Sequence, residues 1–108
     1  MTSRSTWKKF ERRVAKLFGG ERNPLSGSAS KHTKGDVIHD DYYIEAKLRK
    51  DLSDFFKKDF KETVNETIEN SQDEDKDFFV VFKQKYSNRN FVLTDLETLK
   101  KLKSEGDE

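Results

Sequence analysis

The run FFVVF at residues 78–82 constrains the fold of this chain more than any other stretch. It is short, continuous, aromatic and β-branched, so it reads as a strand buried on both faces. Such a strand needs cover above and below, and the rest of the chain must supply it. The means are limited, since 31% of the 108 residues are hydrophobic and 40% are charged. Nine Phe, three Tyr and one Trp offset this, because each aromatic can bury a large area. The apolar residues are also grouped, which speaks against a disordered chain.

The cover comes from amphipathic segments. In STWKKFERRVAKLF, residues 5–18, Trp7, Phe10, Val14, Leu17 and Phe18 recur at helical spacing. Ser5 or Thr6 can cap this helix and Gly19-Gly20 can end it, with Glu11 at the border of the stripe. Residues 21–35 are small and polar, a loop with at most a short edge strand at its start. Residues 36–39 and 42–48 predict two strands turned at Asp40-Asp41. Asp51 is a plausible cap for a long helix to about Asn70, with Leu52, Phe56, Phe60, Val64 and Ile68 at intervals of four and Phe55 widening the stripe. SQDEDKD, residues 71–77, then reads as an acidic connector. NFVL, residues 90–93, predicts another strand. Thr94 and Glu97 have capping-box spacing for a last helix, and 104–108 should be a frayed tail. The expected order is α-β-β-β-α-β-β-α, with the first strand weak. This is an α/β fold with a mixed sheet and flanking helices, in one domain spanning 1–108.

The chain has no cysteine, which excludes disulfides and thiolate metal sites. No apolar run approaches the roughly 20 residues needed to span a membrane, and no secretory signal is present. The expectation is a soluble protein of the cytoplasm, or of the host cytoplasm if the source is a virus. The net charge of +1 hides an asymmetry. Residues 1–50 hold 12 Lys and Arg against 6 Asp and Glu, whereas 51–108 hold 10 against 15. A basic half suits a polyanion such as nucleic acid, although the same pattern also describes ordinary solvated surface.

GDVIHDDYYIEAK, residues 35–47, carries the chemistry. On a strand, Glu45 and Lys47 point to one face while Ile44, Ala46 and Leu48 point to the other. A hairpin turned at 40–41 brings Asp36 within reach of Glu45 and Lys47. Two carboxylates and the Ala46 carbonyl oxygen would bind Mg²⁺, with Mn²⁺ able to substitute. Such an ion activates water and stabilises charge at phosphorus, and a lysine beside it orients the nucleophile or neutralises the phosphate. The plainer alternative is a solvent-facing Glu-Lys ion pair on a charged hairpin. Neither His32 nor His39 has metal-ligand spacing to another His; His32 suits DNA contact and His39 a cover for the hairpin.

Taken with the earlier segments, the chain resembles the archaeal-type Holliday junction resolvases of the PD-(D/E)xK, or restriction-endonuclease-like, superfamily. The resemblance starts at FERRVAKLF, where Glu11-Arg12 matches the family's Glu-Arg pair on its first helix. It continues through RNPLSGS, where Arg22, Pro24, Ser26, Gly27 and Ser28 match an Arg-x-Pro-x-Ser-Gly-Ser loop, and then reaches Asp36 and Glu45-Ala46-Lys47. Order and spacing agree over about residues 7–50, and beyond that only the element order is similar. The hairpin between Asp36 and Glu45 is shorter than is usual in the family.

The resemblance implies a restriction-endonuclease-like core and a Mg²⁺-dependent endodeoxyribonuclease that resolves four-way DNA junctions in recombination and repair. Asp36 and Glu45 would be metal ligands and Lys47 the catalytic lysine. Glu11 would join them from the helix, directly or through water; taken alone, it is an exposed helix residue. Arg12 and Arg22 would hold phosphates, and Ser26 and Ser28 would contact the backbone near the cut. Lys31, Lys34, Arg49 and Lys50 are further candidates for DNA contact. Two symmetric cuts imply a homodimer, with the long helix and FFVVF as candidate interface, unless the aromatics all enter one core. Two other readings stay open: a nuclease for other branched or linear DNA, and a nuclease-fold protein that binds DNA without cutting.

Overall fold

Helix α1 (Arg4–Phe18) is followed by strands β1 (Glu21–Arg22), β2 (Val37–Ile38) and β3 (Tyr42–Arg49). The chain then forms α2 (Leu52–Asp54), a wide π turn (Phe55–Asp59) and α3 (Phe60–Asp73). Strands β4 (Asp77–Gln84) and β5 (Asn90–Leu93) and helix α4 (Leu96–Gly106) complete it. The computed structural model describes residues 4–24 and 33–106. The five strands form one mixed sheet in the order β1-β2-β3-β4-β5. The pairs β1–β2, β2–β3 and β4–β5 are antiparallel, while β3 and β4 are parallel. A parallel pair needs a crossover, which the α2–α3 segment supplies. The element order is the expected one, and the weak first strand is present.

The two faces of the sheet are covered by different helices. Phe10, Val14 and Ala15 of α1 pack with Ile44, Ala46, Leu48, Phe79 and Val81, joined by Phe18 and by Leu102 of α4. On the other face Phe55 packs with Val80 and Phe82 beside Leu52 and Phe60. Residues 78–82 are all buried, as a strand covered on both sides must be. That burial removes FFVVF from the surface, so the strand offers no dimer interface.

Helix α1 begins at Arg4, ahead of the caps expected at Ser5 or Thr6. It ends in a Schellman pattern: Gly20 N–H bonds to Ala15 O at 2.9 Å and Gly19 N–H to Lys16 O at 3.2 Å. Gly19 has φ 75°, a left-handed conformation that glycine adopts without a Cβ penalty. The inward stripe differs by one residue from the expected one. Leu17 is exposed while Ala15 is buried, so the stripe runs through Phe10, Val14 and Phe18 with Glu11 and Ala15 beside it. Glu11 therefore sits inside the buried face rather than at its border.

The long helix departs more. Asp51 caps it, accepting from Ser53 N–H at 2.9 Å. In the π turn the Phe60 N–H bonds to Phe55 O, five residues back, which adds one residue to the turn. The inward face passes from Phe55 to Thr63, Thr67 and Ser71, while Phe56 is turned to solvent and Val64 and Ile68 are half-buried. The buried hydroxyls are satisfied locally, Thr67 donating to Thr63 O at 2.7 Å and Ser71 to Ile68 O at 2.7 Å. The helix also consumes the first part of the expected acidic connector, ending at Asp73 rather than Asn70.

At α4, Asp95 is the cap in place of Thr94. Its carboxylate accepts from Thr98 N–H at 2.8 Å, while the Thr94 hydroxyl donates to Phe78 O at 2.6 Å. α4 continues to Gly106, into the stretch expected as a tail. No helix among the described residues is long and apolar enough to cross a membrane.

Candidate active site

The site grows from the short hairpin. Val37 pairs with Ile44, which sets Asp36 opposite Glu45 and gives both side chains the same sheet face. The Asp36 N–H bonds to Ile44 O at 2.9 Å, and Asp36 Oδ2 accepts from Ala46 N–H at 2.8 Å. Both bonds require the backbone before Asp36 to approach β3 closely. Gly35 permits this, since a Cβ there would come within 2.9 Å of Ile44 O. On the other flank Asn23 holds the strand in place. Its N–H bonds to Asp36 O, and its amide donates to Thr33 O at 3.0 Å and Gly35 O at 2.9 Å.

Glu45 and Lys47 share a face as alternation requires, with Lys47 Nζ 3.8 Å from Glu45 Oε2. Asp36 interacts with Glu45 and also with Glu11, so the helix and the hairpin meet at one group of three carboxyls. Glu11 is 1% exposed. Its Oε1 accepts from Arg22 Nε at 2.8 Å, and its Oε2 is buried without a hydrogen-bond partner.

The electrostatics follow from this crowding. Burial, followed by the Asp36 charge, pushes the Glu45 carboxyl up to about 8, against a partial offset from Lys47. The same two causes push Glu11 up to about 7, with Arg22 pulling the other way. Burial and like charge together make the ionised trio costly, which is the condition a bound cation relieves.

Among the described residues no group of three or more His, Cys, Asp or Glu side chains is placed to hold a metal ion. The donor chemistry still suits a hard divalent cation, because carboxylate and carbonyl oxygens are what such an ion takes. The orphaned Glu11 Oε2 is an acceptor that lacks a positive partner. Asp36, Glu45 and the Ala46 carbonyl would hold the ion, with Glu11 beside them.

Two residues missed from the sequence hold Glu45. The Asn70 amide donates to the Tyr43 hydroxyl oxygen at 3.1 Å, and the Tyr43 hydroxyl donates to Glu45 Oε1 at 3.1 Å. Burial, then the Glu45 charge, keeps the Tyr43 hydroxyl protonated by raising its pKa well above the usual value. The sequence signal for Tyr43 was its place two residues before Glu45, on the same face. Asn70, on another element, had none.

The expected DNA contacts divide. Arg22, expected at a phosphate, has its Nε on Glu11 and is 18% exposed. Arg49 pairs with Asp59 at 3.7 Å and lies over the Phe55 ring at 5.7 Å. Arg12, Lys34 and Lys50 are exposed. Lys34 N–H donates to Glu74 Oε2 at 3.0 Å, which fixes the backbone there. Ser26, Gly27, Ser28, Lys31 and His32 lie outside the described residues. His39 covers the hairpin as expected, its ring stacked on Tyr42 at 4.6 Å and its Nδ1 accepting from Asp41 N–H at 3.0 Å. No protein-family model matches the chain, no curated protein matches it, and no solved structure matches it.

Proposed function

We propose that the protein is a Mg²⁺-dependent endodeoxyribonuclease with a restriction-endonuclease-like core, acting on four-way DNA junctions. Support comes from one arrangement above all: Asp36 lies against Glu45 and Glu11, with Lys47 on the Glu45 side. A hydrolase for phosphodiesters needs carboxylates to hold a cation and a lysine close by. The mixed sheet, with its first helix against the hairpin, is compatible with that core.

When bound, Mg²⁺ would supply an activated water and neutralise charge on the phosphate. The chain's own groups do the rest. Asp36 is oriented by the Ala46 N–H, Glu45 by Tyr43, and Glu11 by Arg22. Glu11 Oε2 is left without a hydrogen-bond partner, and Glu45 Oε2 faces Lys47. Lys47 presents an ammonium that can hold the attacking water or the phosphate oxygens. Arg12 and Lys50, both exposed, are available to the DNA backbone. Cleavage of a symmetric junction by two such sites calls for a homodimer. The exposed Val92, Leu96 and Leu99, on β5 and α4, are apolar surface that a second copy can cover.

The test is purified protein in Mg²⁺ on a synthetic four-way junction and on a matched linear duplex. Selective junction cutting is expected, and equal cutting of both would leave a general DNA nuclease. Asp36→Asn should abolish cleavage and spare junction binding; activity that survives it sinks the site assignment. A second reading, a nuclease-fold protein that binds DNA without cutting, is favoured by the lack of any group of three metal-ligating side chains among the described residues. Wild-type binding with no cleavage in Mg²⁺ or Mn²⁺ is its signature.

A further inference from the structure

The hairpin between β4 and β5, KQKYSNRN at residues 83–90, differs from the rest of its half of the chain. Residues 51–108 carry 15 acids against 10 cations, yet this stretch holds Lys83, Lys85 and Arg89 and no acid. At its tip Tyr86 is 91% exposed. The turn is closed by Ser87 N–H on Gln84 O at 3.0 Å, and it holds Tyr86 at φ 70°, a left-handed backbone that costs a bulky residue free energy. Lys85 Nζ lies 5.2 Å from the ring centroid, on its face. A large aromatic is thus both strained and exposed, with no packing role in the fold to explain it. The hairpin also borders an open groove lined by Leu52, Gln84, Ser87, Asn88, Arg89 and Phe91.

The hairpin is also joined to the end of β3. Lys85 N–H bonds to Arg49 O at 2.7 Å and Leu52 N–H to Gln84 Oε1 at 3.2 Å, so the hairpin follows directly on Arg49 and Lys50. An exposed ring, basic side chains and side-chain amides are the chemistry that takes an unstacked nucleobase and its phosphates. We propose that this hairpin is a second nucleic-acid contact, in which Tyr86 stacks on an unpaired or splayed base and Arg89 holds an adjoining phosphate. The inference rests on the nuclease reading for its partner and extends it from the cut site to the bases of the branch.

The experiment is binding in EDTA, so that no strand is cut, by fluorescence anisotropy on three DNAs: a four-way junction, a matched linear duplex and a single strand. Tyr86→Ala should weaken the single strand and the junction about tenfold and leave the duplex within about twofold, since a base–aromatic stack is lost only where a base is free. Tyr86→Trp should restore binding, and its emission should be quenched by single strand. Arg89→Gln should lower the slope of log affinity against log salt by about 1. Unchanged single-strand and junction binding by Tyr86→Ala, or equal weakening on all three DNAs, overturns the contact. Wild-type protein that cuts junctions while Tyr86→Ala binds them normally overturns this inference alone. Wild-type protein that binds none of the three DNAs overturns the nuclease reading and this one with it.

Discussion

β3 and β4 lie side by side, parallel and paired residue for residue from Tyr42–Asp77 to Arg49–Gln84. On the face toward α3, β4 places Phe78, Val80 and Phe82, and β3 places Tyr43, Glu45 and Lys47. Opposite Val80 stands a carboxylate, and opposite Phe82 an ammonium. One strand fills its space with apolar volume; the other leaves polar groups that must be held by Tyr43, Asn70 and each other. The difference teaches that on this face β4 carries the stability, which lets β3 carry charges there that stabilise nothing by themselves.

The comparison is broken most severely by exchanging the roles. Glu45→Val, which makes β3 resemble β4, should cut cleavage by a factor on the order of 10³ without lowering thermal stability. Val80→Ala should do the reverse, costing about 2 kcal/mol in urea unfolding while the folded fraction cuts normally. Circular dichroism melts and single-turnover cleavage of both variants decide it; a Glu45→Val protein that is active, or a Val80→Ala protein that is stable but inactive, removes the division.

A smaller effect is expected at Tyr43. Tyr43→Phe keeps the ring and deletes the donor to Glu45, so Mn²⁺ affinity read by calorimetry should fall about tenfold, as is usual for a group that orients a ligand. Unchanged Mn²⁺ affinity would mean that the hydroxyl serves only packing.

The smallest effect is in pH. Glu45 and Glu11 have carboxyls raised to about 8 and about 7, from an ordinary 4.5. A raised carboxyl binds its proton more tightly folded than unfolded, so its contribution is full below pH 4.5 and is lost as pH rises through 7 and 8. In EDTA the melting temperature should therefore fall between pH 5.5 and pH 8.5. Strand β4 has no titratable group from Phe78 to Phe82, so Glu45→Val should show a shallower fall. Parallel profiles for the two proteins would refute the link.

The sequence was legible where the signal was local. FFVVF announced a two-sided strand because five apolar residues in a row leave no face for water. The alternation of Glu45 and Lys47 and the turn at 40–41 led to a register that sets Asp36 beside Glu45, since a tight hairpin leaves little choice. The face of the long helix was not legible: Phe55 and Phe56 are the same residue type, and the buried line through Phe55, Thr63, Thr67 and Ser71 is continued by hydroxyl residues that carry no apolar signal. Thr94 and Asp95 are both good caps, and only the position of Phe78 O decides between them. Arg22 on Glu11 and Asn70 on Tyr43 join different elements, so no window of sequence contains both partners.

Asn23 has a consequence for how this protein can change over generations. Its backbone and amide tie together both ends of the segment between 23 and 33, and the same residue fixes Asp36. The position of Asp36 is thus set by a neighbour thirteen residues earlier in the chain, so a change at Asn23 would reach the carboxylate without touching it.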